Sequence, residues 1–180
     1  MGLGYAQLSL RVRTRWHLVL YGEPARTPRQ RPPGAGNRSS AQNCAQVRGK
    51  YPFHIDAWVV LPEHLHCVMT LPSNDSDFSL RWRLIKSGFS RALPKTERRS
   101  MVRRLAAERG IWQRHYWEHL IRDEADYCRH VDYVHVNPLK HGHVKRVQDW
   151  PYSTFHRYVA AGVYPRDWCG DVEIEVEGDR

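Results

Sequence analysis

Nowhere do 18 apolar residues run consecutively, so the sequence offers no membrane-spanning helix. The opening Met1-Gly2-Leu3-Gly4-Tyr5 lacks the charged-then-apolar layout of a secretory signal. Four cysteines, Cys44, Cys67, Cys128 and Cys169, lie scattered without a Cys-x-x-Cys pair. That argues against a zinc ribbon or a disulfide frame and for reduced, mostly buried thiols of a cytoplasmic protein. A glycine loop of the Walker type is missing, as is any internal repeat. Lysine is scarce beside arginine.

What is present is charge of one sign. Lysine and arginine number 28 against 19 acids, for a net charge of +9 and an isoelectric point near 9.7. Five of the acids sit in the last ten residues, which leaves residues 1–170 at +13. Arginine suits bidentate phosphate contacts better than lysine does. Seven Trp and nine Tyr are interleaved with these charges, as in proteins that stack unpaired bases. A nucleic acid partner is the expectation.

The pattern is clearest from residue 51 onward. Phe53 to Val60 reads as a strand, Leu61-Pro62-Glu63 as a turn and His64 to Leu71 as an antiparallel partner. Phe78 to Leu93 has helical spacing, with Leu80, Leu84 and Ser87-Gly88 on one side and Arg81, Arg83, Lys86 and Arg91 elsewhere. Ile111 to Leu120 reads as a strand. Asp123 is placed to cap a helix that runs to about Val136 and is stopped by Pro138. On it, Tyr127, Val131 and Val134 form the expected buried stripe, while Asp126, His130, Tyr133 and Asn137 occupy another arc. Ser153 to Ala161 reads as a short final helix. Before residue 51, Arg15 to Tyr21 reads as a strand, Gly22 to Ser40 as loop, and Ser40 to Lys50 as a short helix capped by Ser40. Hairpin, helix, strand, helix gives an α+β fold with an antiparallel sheet. The domain is expected over 51–170, between a divergent segment 1–50 and an acidic tail 171–180.

Two features carry chemistry. His64-Leu65-His66 puts two imidazoles on one strand face, where they can hold a divalent metal, while Leu65, Cys67, Met69 and Leu71 face a core. A Cys67-based zinc site is disfavoured for the same reason. Tyr133 and Asn137, four residues apart, share one side of a helix end. A metal pair with a positioned phenol points to phosphoryl transfer onto tyrosine.

The run Ile55 to His66, with Trp58-Val59-Val60-Leu61-Pro62-Glu63-His64-Leu65-His66, resembles the hairpin of the HUH single-tyrosine transposases. Ile111-Trp112-Gln113-Arg114, Trp117-Glu118-His119, Ile121-Arg122-Asp123-Glu124, His130 to Gly142, Trp150-Pro151-Tyr152-Ser153 and Arg157-Tyr158 resemble the REP-associated tyrosine transposase branch. The resemblance implies a ferredoxin-like HUH fold and a metal-dependent nuclease and strand-transferase for single-stranded DNA and REP hairpins. It implies His64 and His66 as metal ligands, Asn137 completing the site, Tyr133 as nucleophile and Mg²⁺ or Mn²⁺ as the ion. Arg81, Arg83, Lys86, Arg98, Arg99, Arg103, Arg104, Arg114, Lys140 and His141 are the expected DNA-binding residues, in a monomer or homodimer. Leu8 to Tyr21 matches the family poorly and Pro24 to Gly36 not at all. The competing readings are a non-catalytic, decayed REP-hairpin binding protein and a metal-dependent RNA nuclease.

Overall fold

A central hairpin buried on both faces sets the architecture. The computed structural model describes residues 17–22, 35–62, 64–95, 99–113 and 115–170. In chain order these form β1 (His17–Gly22), α1 (Ala35–Lys50), β2 (His54–Val60), β3 (Leu65–Thr70), α2 (Phe78–Ala92), α3 (Met101–Leu105), β4 (Trp117–Leu120), α4 (Glu124–Lys140), a 3₁₀ turn (Val147–Asp149) and α5 (Phe155–Ala160). The sheet order is β2-β3-β1-β4, antiparallel at every pairing. This is the expected ferredoxin-like α+β arrangement. β1, from the segment expected to be divergent, takes an inner position, with Tyr21 paired to His66 on one side and Trp117 on the other.

Each face of the sheet has its own core. Leu65, Cys67, Met69 and Leu71 pack against Trp82 and Ile85 of α2 and Cys44 and Val47 of α1. Val68, Ala57 and Val59 pack against Tyr127, Val131 and Val134 of α4. The β2–β3 register shifts between Ile55 and Ala57. An extra residue there turns Asp56 toward α4, where it accepts hydrogen bonds from the Thr70 hydroxyl at 2.5 Å and the Tyr127 hydroxyl at 3.2 Å.

Four expectations about elements need correction. The strand expected over Ile111–Leu120 forms only at Trp117–Leu120. The Trp112 indole N–H donates instead to Lys86 O and Ser90 Oγ on α2, and the stretch before β4 follows it. α4 does not stop before Pro138 but runs on to Lys140. A proline in the last turn forgoes one hydrogen bond, and the end closes behind it: His141 N–H donates to Asn137 O, and His143 N–H to Pro138 O. Gly142 supplies the left-handed residue, at φ +71°, that such a closure needs. α1 begins at Ala35, with Ser40 inside it and not capping it. Interior serine costs only a few tenths of a kcal/mol, on the order of what packing easily outweighs. The buried side of α2 is Trp82, Ile85, Gly88 and Phe89, not Leu80 and Leu84. Among the described residues, no helix is long and apolar enough to cross a membrane.

Candidate active site

β3 and α4 meet where the two sequence features coincide. His66 lies on β3, and His64 comes one residue before the strand begins. Their rings stand edge to face, with centroids 4.8 Å apart. Asp123 opens α4 as expected, its carboxylate accepting from the Asp126 N–H at 2.8 Å. Three turns along, that helix delivers Tyr133 and Asn137 to the hairpin. Asn137 Oδ1 lies 3.0 Å from His64 Nε2. The Tyr133 ring packs edge to face on His66 at 5.3 Å. His64, His66, Tyr133 and Asn137 therefore form one buried cluster from residues 73 positions apart in sequence.

Tyr133 and Asn137 do not sit on an arc apart from the buried stripe. α4 is buried from Asp126 to Pro138 except at Arg129, because the sheet covers one side and the 3₁₀ turn and α5 the other. The second arc faces the histidines, not solvent.

The local electrostatics favour a neutral His66 imidazole. Burial pushes the His66 pKa well below its usual value, and the neighbouring His64 and His141 lower it further. The His141 ring lies 4.8 Å from that of His64, and the Lys140 ammonium sits 4.9 Å over the Tyr133 ring. Lys140 and His141 thus border the site. Tyr127, the other phenol on this helix, is a poor nucleophile: burial first, then the Asp56 charge, raises its pKa far above that of a free phenol.

The donor set suits a divalent cation. His64 Nε2 and Asn137 Oδ1 stand 3.0 Å apart, close to the ~3 Å separating ligand atoms that share one ion, with the His66 ring centroid 4.8 Å from that of His64. Asn137 Nδ2 is buried without a hydrogen-bond partner among the described residues. That orphan is the natural consequence of an amide whose oxygen is turned toward a ligand site.

The expected DNA-binding residues divide. Arg81 is sealed, 2% exposed, donating to both Asp75 carboxylate oxygens, to Pro52 O and to Asp77 O. No part of it is left for a phosphate, so its assignment to a DNA surface is corrected. Lys86 is half-buried and donates to Gln113 O between the Trp112 and Tyr116 rings. Arg83, Arg99 and Arg104 are exposed. Arg103 reaches Gly110 O at 3.1 Å. Arg98, Arg114 and the acidic tail lie outside the described residues.

A second cluster went unread in the sequence. His119 of β4 and Asp126 and His130 of α4 bring three potential ligand atoms within 4.8 Å of one another. The spacing of Asp126 and His130, four apart on one helix face, was the available signal.

The chain matches no family model. Against curated proteins, it is 52% identical over 135 residues to a REP-associated tyrosine transposase of Escherichia coli strain K12, covering 75% of this chain and 74% of that one. Among solved structures, that of the REP-associated tyrosine transposase bound to a REP hairpin superposes with a TM-score of 0.73 at 43% identity, covering 93% of this chain and 92% of that one. With the histidine pair, the tyrosine and the asparagine in place on a ferredoxin-like sheet, the chain belongs to the REP-associated tyrosine transposases.

Proposed function

We propose that this protein is a metal-dependent single-stranded DNA endonuclease and strand-transferase that acts on REP-type hairpins in the cytoplasm through a 5′-phosphotyrosine intermediate. The observation that carries the reading is the packing of Tyr133 on His66 beside the His64–Asn137 contact. The relative solved with a REP hairpin supports hairpin DNA as the partner.

His64, His66 and Asn137 would hold the cation. Mg²⁺ or Mn²⁺ bound there would polarise the scissile phosphate and offset the charge that develops on it. The remaining roles belong to side chains. Tyr133 Oη attacks phosphorus, the P–O3′ bond breaks, and a P–Oη ester forms. The phenol proton leaves to solvent and the departing 3′-oxygen takes one up. A free phenol has a pKa of about 10, so this proton loss needs help. The Lys140 ammonium over the ring favours the phenolate electrostatically. Because the ester keeps the bond energy, a second 3′-hydroxyl can reseal the strand without ATP, in keeping with the missing Walker loop.

Tyr133→Phe removes only the hydroxyl. Labelled single-stranded DNA bearing a REP hairpin should form a covalent adduct with the wild type and none with the variant. Hairpin affinity should stay within a few-fold. An adduct of unchanged yield in Tyr133→Phe would reject Tyr133 as nucleophile, and wild type binding hairpins without any cleavage would reject the enzyme.

A further inference from the structure

The His119, Asp126 and His130 cluster has a different donor set and a different place in the fold from the candidate active site. Asp126 is the centre of it. Its Oδ2 lies 2.7 Å from His119 Nε2, and its Oδ1 lies 3.1 Å from His130 Nδ1. One carboxylate thus spans two imidazoles from two elements, a strand and the first turns of the helix packed beside it. All three are enclosed: the side chains of His119, Asp126 and His130 are 9%, 6% and 3% exposed. The far nitrogen, His130 Nε2, is buried with no hydrogen-bond partner among the described residues. A buried imidazole lone pair with no donor costs free energy that the fold has no evident reason to spend.

We infer that His119, Asp126 and His130 form a second divalent-metal site that clips β4 to the start of α4. Two imidazole nitrogens and one carboxylate oxygen are the ligand set of borderline first-row ions, Zn²⁺ above all. Donor atoms around a four-coordinate ion stand roughly 3.3 Å apart; Asp126 Oδ2 and His119 Nε2 stand at 2.7 Å, and a ring nitrogen of His130 lies within 4.8 Å of a ligand atom of each. The His130 Nδ1–H bond to Asp126 O, 2.8 Å, leaves Nε2 as its ligand and fixes the tautomer. The two imidazole rings are stacked at 4.5 Å with 20° between their planes, so one of them turns about its Cβ–Cγ bond when an ion enters. Trp117, stacked on His119 at 3° between planes, closes the outer side. The clip would fix the phase of α4, and with it the direction in which Tyr133, three residues past His130, meets His66. The site stands whether or not the protein cleaves DNA.

The test counts metal on the full chain. Purified wild type, stripped with chelator and dialysed against Zn²⁺, should retain two equivalents by elemental analysis. His119→Gln with His130→Gln should retain one, and His64→Ala with His66→Ala should retain one. Co²⁺ loaded into the latter variant should give the visible absorption of a four-coordinate site, which disappears when His130→Gln is added. Zn²⁺ should also raise the melting temperature of the His64→Ala, His66→Ala variant. One equivalent in the wild type that vanishes in His119→Gln, His130→Gln would uphold the site and count against metal at His64 and His66, whereas no loss of metal on changing His119 and His130 would overturn it. Zinc held by the scattered thiols falls in this last outcome, since those substitutions leave cysteine untouched. If the His64 and His66 variant does not fold, the comparison of the wild type with His119→Gln, His130→Gln decides alone.

Discussion

Arg81 and Arg83 are two residues apart on α2 and lead opposite lives. Arg81 is held beneath the start of the helix by Asp75 and two backbone carbonyls, while Arg83 is exposed. Arg81→Ala should therefore lower stability by about 1.5 kcal/mol in denaturant titration, since it removes the charge-assisted bonds of a buried guanidinium to Asp75 and two carbonyls that solvent can reach. Arg83→Ala should leave stability within ~0.5 kcal/mol. If Arg83 contacts a phosphate, its loss should lower the salt slope of hairpin binding by roughly one unit. An Arg81→Ala protein as stable as wild type would refute the buried role, and an unchanged slope would remove Arg83 from the interface. The pair also marks a limit of periodicity. Reading Leu80 and Leu84 as the inner stripe set the helix one position out of phase, because Trp82 and Arg81, both buried, carry polar atoms that a hydrophobicity pattern counts against burial. His64, His66, Tyr133 and Asn137 were legible because each is a rare, chemically specific residue in a short motif, which phase errors do not disturb.

At the level of elements, α4 shows why a helix can be found but its surroundings misread. The Asp123 cap and the apolar spacing located its start correctly, but the second arc was read as standing apart from the core. Its Tyr133 and Asn137 are buried against His66 and His64. His135, on neither arc, is buried too: its Nε2 lies 2.9 Å from Thr154 Oγ1, among the rings of Phe155, Tyr158 and Tyr164. Burial, then the charges of Arg157 and His156, lowers the His135 pKa to about 3. The folded state thus binds this proton far less well than the unfolded chain, whose histidine titrates near 6.5. Its contribution to stability is complete above the unfolded value and is lost as pH falls toward the folded one. The slope is about 1.4 kcal/mol per pH unit. Denaturation midpoints for wild type and His135→Phe, measured from pH 7 to pH 4, should converge as pH falls because only the wild type carries this term. Parallel curves would show that His135 titrates normally. The short β4 was the hardest element to bound, since the Trp112 indole is drawn to α2 by hydrogen bonds that no alternation pattern encodes.

Across the whole molecule, the excess of positive charge is the property that composition stated most plainly and placement constrains most. Not all of it is available, because Arg81 is sealed and Arg103 is partly committed to Gly110 O. Arg99 and Arg104 remain exposed on and beside α3, where Met101, Val102 and Leu105 are also exposed, at 66%, 64% and 82%. A short helix with no buried residue that presents arginines fits a surface awaiting a polyanion better than a structural brace. Neutralised phosphates release condensed counterions, so the number of contacts is read from the dependence of affinity on salt. The double variant Arg99→Ala, Arg104→Ala should lower the slope of log K against log salt for a REP hairpin by roughly two units. Adduct formation at saturating DNA should persist, since Tyr133 meets His66 and Lys140 inside the α4 cluster and both arginines are exposed at α3. Arg103→Ala serves as the internal contrast, with a smaller change in slope and a loss of stability from the freed Gly110 carbonyl. If the double variant keeps the wild-type slope, α3 lies off the DNA path, and the phosphate contacts must come from the other basic residues bordering the site, Lys140 and His141 first among them.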